Sequence, residues 1–280
     1  MPVLLSIIVV TIDRLRLVER LFLSLAQQTC GNFEVLLMHA AKVPQADVAA
    51  VCRRFPELTI RAFPTPDTCL SRSRNAALPH IRGELFCIAD DDCVYEPDTV
   101  ARVLEQFRRF PDVAALTGTA VGLDESVPPA REGAVVRDAR WLFQGCPSYV
   151  HFYRTRVLDA VHGFDEELGL GSGTPWQSGE ETDFLLRTAQ AGFGVMRAPA
   201  VRIRHPRPNL RELPQEKIRA YAAGRMRLLR KHGCSRAFVL ANVVYPLAML
   251  PCECLAASWR IMRYRWAMFW ERLRNLRGAA

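Results

Sequence analysis

The chain has 280 residues, 50% of them hydrophobic and 24% charged, with a formal net charge of +8. That length suits one large domain, or a domain with an appendage, and the composition excludes wholesale disorder and collagen-like repeats. The charge is divided: residues 201–280 hold 17 Lys and Arg against 4 Asp and Glu, while residues 1–200 hold 20 against 25, which excludes a uniformly basic nucleic-acid binder.

Nine scattered cysteines without a C-x-x-C pair indicate neither a disulfide framework nor a zinc site, and fit a reducing cytoplasm. Residues 4–10 are a continuous apolar, β-branched run with no basic stretch ahead of it. They read as a buried first strand rather than a signal peptide. Leu17, Leu21 and Leu25 then mark a helix up to Gln28. A strand over 33–38, a helix over 45–55, a strand over 58–62 and a short helix over 71–78 follow. The next strand, 84–89, runs straight into Asp90-Asp91-Asp92. A helix over 97–110, with Pro97 in its first turn, leads to an extended segment over 113–121. Strands alternating with helices predict an open, mainly parallel α/β sheet. Ligands of such sheets bind at the carboxyl ends of the strands, so residues 11–14 and 90–92 are expected on one rim.

Beyond residue 122 the pattern loosens into a polar loop (124–132), a Gly-rich loop (169–179), a helix (180–191), one or two short strands (195–203) and a basic helix (214–232). We therefore expect a domain over 1–212, with halves 1–121 and 122–212, and a basic helical tail over 213–280. Residues 237–258 carry one charge, Glu253, and as a straight helix would reach about 33 Å, enough to cross a bilayer. Asn242, Pro246, Pro251 and Glu253 argue against such a span. Next, Trp259, Met262, Trp266 and Trp270 recur at helical spacing among Arg260, Arg263, Arg265 and Arg272. A basic helix with aromatic anchors is expected to lie on an anionic membrane surface, peripheral on the inner face. The plainer alternative is a helical hairpin packed on the protein's own body.

In extended or turn backbone Asp90 and Asp92 point one way and Asp91 another. Two hard oxygen ligands on one side suit Mg²⁺ or Mn²⁺, which keep positions open for phosphates; a helix cap would need fewer acids. In the second acidic cluster, Ser178 and Glu181 alone would make a structural capping box, yet Glu180, Glu181 and Asp183 exceed one cap. A carboxylate there could take a proton from an attacking hydroxyl. His205 alone reads as an ordinary satisfied histidine, and Arg72, Arg74 and Asn75 as a solvated helix face that could also meet phosphates. Trp176 could stack on a sugar ring or simply pack.

Taken in order, residues 6–14, 24–29, 33–35, 71–78, the triple Asp, Gly163-Phe164-Asp165-Glu166 and Gly179-Glu180-Glu181-Thr182-Asp183 resemble the motifs of glycosyltransferase family 2. The resemblance spans about residues 4–205. It implies a GT-A fold, a nucleotide-sugar donor, Mn²⁺ or Mg²⁺, and transfer with inversion to a glycan or lipid-linked acceptor. Matched residue by residue, Asp90 and Asp92 correspond to the metal-holding pair, and His205 to a histidine near metal or diphosphate. Thr11 and Asp13 match the segment lining the nucleotide; Arg14, Arg72, Asn75 and Asp91 are also expected on the donor side. Glu181 falls where the family's base lies, with Asp183 as the other candidate, and Glu180 matches the preceding Glu; Glu180 and Trp176 are expected on the acceptor side. Two positions depart from the family pattern. The second strand ends in Met38-His39-Ala40-Ala41, without the base-contacting Asp, and Glu181 replaces Asp. A non-catalytic nucleotide-sugar or glycan-binding scaffold is the competing function. A metal-dependent nucleotidyltransferase is a weaker rival, since residues 11–14 lack a glycine.

Overall fold

The computed structural model describes residues 3–66, 68–126, 133–136, 139–144, 147–250 and 259–277. The chain forms two compact units, one of residues 1–164 and 181–207, the other of 165–180 and 208–280.

The first unit is built on a nine-stranded sheet ordered β3-β2-β1-β4-β8-β6-β9-β5, with β7 also paired to β9. Its strands are β1 (Leu5–Thr11), β2 (Phe33–Ala40), β3 (Ile60–Thr65), β4 (Leu85–Asp90), β5 (Val94–Tyr95), β6 (Val113–Val121), β7 (Ala134–Val135), β8 (His151–Arg154) and β9 (Gly194–Arg204). β3, β2, β1 and β4 run parallel, as the apolar runs predicted, and Leu5, Ile7, Ile8, Val9, Val35, Leu36 and Leu37 are fully buried. The helices of this unit are α1 (Leu15–Ala26), α2 (Gln45–Arg53), α3 (Leu70–Ala77), α4 (Thr99–Arg109), α5 (Leu158–Val161) and α6 (Glu180–Gln190). α6 begins one residue before the unit boundary.

Two features differ from the sequence expectation, and a third resolves an alternative it left open. β8 enters antiparallel between β4 and β6, a four-residue strand too short to show a period. Helix α4 starts at Thr99 with Asp98 at its N-cap, so Pro97 precedes the helix, and the Asp98 carboxylate pairs with Arg102 at 2.6 Å. The 195–203 segment is one strand, β9, whose pairing with β6 shifts register between Thr117 and Thr119; Pro199 lies in that irregularity, where a missing N–H is tolerated.

A polar knot closes the amino-terminal end of the sheet. Glu34, fully buried on β2, accepts from Ser6 Oγ at 2.8 Å, Arg61 Nη1 at 3.1 Å and the Arg82 backbone N–H at 3.0 Å. The carboxyl ends form the opposite rim. Register places Val10 beside Asp90 and Thr11 beside His39.

The second unit holds α7 (Gln215–Lys231), α8 (Arg236–Ala248), α9 (Trp259–Arg277) and the loop 165–180. Asn242 and Pro246 lie inside α8 rather than ending it. Proline at 246 cannot donate to the Asn242 carbonyl, and that carbonyl accepts from Arg272 Nη1 of α9 at 2.6 Å instead. The Asn242 side chain accepts from both Nε and Nη2 of Arg225. Among the described residues no helix is long and apolar enough to cross a membrane. Residues 251–258, the latter part of the apolar stretch, and most of the 124–132 loop lie outside the described residues.

Candidate active site

β4 delivers Asp90 to the rim, and a turn over 91–92 separates the three carboxylates. Asp91 turns inward. It is 1% exposed, accepts from Thr11 Oγ1 at 2.7 Å and from Arg14 Nε at 3.1 Å, and Arg14 Nη2 bonds its other oxygen. Burial pushes its pKa up to about 6, although the Thr11 hydroxyl and the Arg14 charge pull the other way.

Asp90 and Asp92 face His205, which follows the end of β9. Its Nε2 lies 2.9 Å from Asp92 Oδ1 and 3.7 Å from Asp90 Oδ2. Its Nδ1 lies 2.7 Å from the Pro206 carbonyl, and its ring stacks on Tyr149 with centroids 4.4 Å apart and planes at 6°. A ring pinned on both sides presents Nε2 in one direction. Burial disfavours charge on both partners, yet their pairing lowers the Asp92 pKa and raises that of His205.

One ligand atom from each of Asp90, Asp92 and His205 lies within 4.8 Å of the others. The buried Asp92 Oδ1, although close to Nε2, receives no well-directed hydrogen bond. An imidazole nitrogen and two carboxylates converging on one point suit a common cation, because adjacent ligands of a small octahedral ion sit about 3 Å apart. The donor set, two carboxylates and one imidazole, fits Mn²⁺ or Mg²⁺.

Arg74, expected on a solvated helix face, is instead buried against this cluster, and Ser148 and Arg20 join it without a sequence signal. Arg74 is fully buried, with Nη2 3.5 Å from Asp90 Oδ1 and 3.1 Å from Ser148 Oγ. Ser148 in turn approaches Asp90 at 3.4 Å, and Arg20 Nη2 donates to the Asp92 carbonyl at 2.8 Å. Ser148 and Tyr149 lie in a 3-10 turn just before β8, more than 50 residues from the Asp triplet, which only the completed sheet brings close.

Beside the cluster, an open cleft of about 570 Å³ lies between the starts of α1 and α2, lined by Asp13, Arg14, Leu15, Arg16, Lys42, Val43, Pro44 and Asp47. Asp13 pairs there with Lys42 at 3.3 Å. His39, in place of the missing aspartate, is 1% exposed, with Nδ1 3.3 Å from the Ala40 carbonyl and no hydrogen-bond partner for Nε2 among the described residues.

Other candidate residues are held elsewhere. Arg72 is half-buried on α3. Asn75 donates to the Phe164 carbonyl at 2.9 Å and accepts the Phe164 N–H at 2.7 Å, a clamp on the Gly163–Phe164 turn. Asp183 is fully buried and paired with Arg187 at 2.7 Å; that guanidinium also donates to the carbonyls of Val161 and Gly163. Glu181, two residues earlier, is half-buried. In the second unit, Glu180 is 6% exposed, and Trp176 lies under the Arg227 guanidinium at 4.4 Å.

A mixed, mostly parallel sheet flanked by helices, with carboxylates gathered at the end of a central strand, is the architecture of a GT-A glycosyltransferase. The chain belongs to glycosyl transferase family 2, whose family model matches residues 6–163. It is a transferase of nucleotide-sugar type. No curated protein matches the chain. Among solved structures, the mannosyltransferase PcManGT from Pyrobaculum calidifontis, in complex with GDP-Man and Mn²⁺, is similar at TM-score 0.64 and 16% identity, over 100% of this chain and 88% of that one. S. aureus TarS 1–349 in complex with UDP-GlcNAc is similar at TM-score 0.60 and 17% identity, covering 97% and 92%. The same TarS fragment with UDP gives 0.58 and 17%, covering 84% and 68%. At these identities the likeness is one of fold.

Proposed function

We propose that this enzyme moves a sugar from a nucleoside diphosphate sugar to an acceptor hydroxyl in a single displacement with inversion, in polysaccharide, glycolipid or cell-envelope glycan synthesis. The observation that carries this reading is the convergence of Asp90, Asp92 and His205 at the carboxyl end of β4, beside a cleft large enough for a nucleoside. PcManGT binds GDP-Man with Mn²⁺, which supports the same ligand classes here. Asp90, Asp92 and His205 would hold Mn²⁺ or Mg²⁺. A bound divalent ion neutralises charge that grows on the departing diphosphate.

Arg14 serves two parts of the rim. It fixes the inward Asp91, and its Nη1 lies 3.5 Å from Asp92 Oδ2, so it orients the carboxylates and offers positive charge beside the diphosphate. Thr11 locks Asp91 in the same arrangement. Asp13 and Lys42 supply polar groups to a base and ribose in the cleft, and Arg72 and Asn75 support the donor side through α3. Glu181 is the general base. Asp183 is the weaker candidate because it is bound to Arg187, and a carboxylate held by a guanidinium has little basicity to spare; its part is to position the start of α6. Trp176 and Glu180 are assigned to the acceptor side. The catalytic domain spans 1–212 and the tail 213–280. The partners are a nucleotide-sugar donor, a glycan or lipid-linked acceptor and an anionic membrane surface on its inner face.

Glu181→Gln is expected to lower single-turnover transfer by about 10²-fold or more while donor binding, read by calorimetry, stays within about twofold. Wild-type transfer by this variant would remove Glu181 from the role of base.

A further inference from the structure

The second unit presents a surface that sugar transfer does not use. α9 packs on α7 and α8 by one face: Met268 is buried with Ile218 and Ala222 of α7, and Tyr264 and Ala267 pack against them. Its one acid, Glu271, is 7% exposed and taken up by Arg219 at 3.3 Å and Arg274 at 3.0 Å. The outward stripe, at spacings of four, three, four and four, reads Trp259, Arg263, Trp266, Trp270 and Arg274. The three indoles are 63%, 51% and 43% exposed. On α8 the exposed residues beyond Arg236 at its start, namely Ala237, Leu240, Ala241, Val244, Tyr245 and Ala248, carry no charge.

A water-facing helix does not ordinarily leave three tryptophans and an uncharged face exposed. Interleaved indoles and guanidiniums match the boundary of a bilayer, where rings sit at headgroup depth and cations meet lipid phosphates. Charge selects among occupants. α9 carries six arginines and a single acid, and that acid is paired. Two copies meeting on this face would set arginine against arginine, whereas anionic lipid complements it.

The same unit carries the loop 165–180. A Cβ on Gly224 of α7 would lie 2.6 Å from the Ser178 carbonyl oxygen, and one on Gly179 would lie 2.5 Å from a Leu228 methyl. Ser178 Oγ donates to the Ala220 carbonyl at 3.3 Å, and Arg227 covers Trp176 and pairs with Glu167 at 2.9 Å. α7 thus has the loop on one side and α9 on another.

We infer that α8 and α9 seat this protein on an anionic bilayer, and that the loop 165–180, built on the same helices, takes its acceptor from that surface. The acceptor half of this inference rests on the transferase reading; the seat does not.

The test uses the full chain with vesicles of phosphatidylcholine, with and without phosphatidylglycerol, and needs neither donor nor metal. Flotation with the anionic vesicles alone, weakening as salt rises, is expected. Trp266→Ser with Trp270→Ser should lower it about tenfold or more, and Arg263→Gln several-fold, with the melting temperature unchanged. Asp92→Ala, impaired in transfer, should float like wild type. Amide exchange across 165–180 should slow on anionic vesicles. No flotation, equal flotation of the tryptophan variant, or a concentration-dependent dimer that the tryptophan changes abolish would overturn the seat. Flotation with unchanged exchange in the loop would overturn the acceptor half.

Discussion

Adjacent aspartates 91 and 92 have opposite surroundings. Asp91 is enclosed by Thr11 and Arg14, while Asp92 opens toward His205 with an oxygen left without a directed donor. Alternation along the chain foretold that split, because period-two backbone sends neighbours apart. It did not foretell His205, which the family resemblance alone singled out, nor the burial of Arg74, expected on a solvated helix face, nor Ser148 and Tyr149, whose approach depends on β8 entering the sheet between β4 and β6. One further residue carries a pH signature. His151, on β8, is 1% exposed and paired with the Tyr153 hydroxyl at 3.1 Å. Burial, helped by the charge of Arg74, lowers its pKa from 6.5 to about 3. The unfolded chain therefore takes up a proton there near pH 6.5 that the folded chain refuses. Its contribution to stability is complete above that pH and is lost progressively as pH falls toward 3, at no more than about 1.4 kcal/mol per unit. Denaturant melts at about pH 7.5 and about pH 5 should show His151→Asn, which keeps an acceptor for Tyr153, losing about 2 kcal/mol less than wild type over that interval. Equal losses would contradict this assignment.

Elements were legible where periodicity was strong. β1, β2, β4, α1, α4 and α6 fall within a few residues of their predicted ranges, since long apolar runs and helical stripes report burial directly. β5, β7 and β8, of two to four residues, are set by their neighbours, and no local pattern marks them. The Glu34 knot is of the same kind: a lone acid in an apolar strand draws its meaning from Ser6, Arg61 and Arg82. Glu34→Ala is expected to destabilise the fold by about 3 kcal/mol, because Arg61 loses its carboxylate partner and Ser6 its acceptor; a shift under about 1 kcal/mol in chemical denaturation would show that water replaces the carboxylate. In the second unit, Gly224→Ala would put a methyl 2.3 Å from Ser178 Oγ and 2.6 Å from its carbonyl oxygen. Backbone has to move, so the expected cost is about 1–3 kcal/mol, with faster proteolysis of the 165–180 loop. Unchanged stability and cleavage would mean that the loop shifts freely against α7.

At the scale of the molecule, the net charge of +8 averages two different bodies. The first unit sets Asp90, Asp91 and Asp92 on the rim of a GT-A sheet, and the second gathers arginines on helices α7, α8 and α9, where Glu271 is buried. Sequence patterning divided the chain near residue 212, but it could not place 165–180 with the C-terminal helices, because that grouping depends on Gly224 and Gly179 allowing close approach. The central claim is that Asp90, Asp92 and His205 make donor binding metal-dependent. Calorimetric titration of the full chain with GDP- and UDP-sugars, with Mn²⁺ and with chelator, tests it most directly. Binding of at least one donor is expected, weakening by about tenfold or more without Mn²⁺ and to the same extent in Asp92→Ala. Donor binding of equal strength with chelator, or in Asp92→Ala with Mn²⁺, would contradict it.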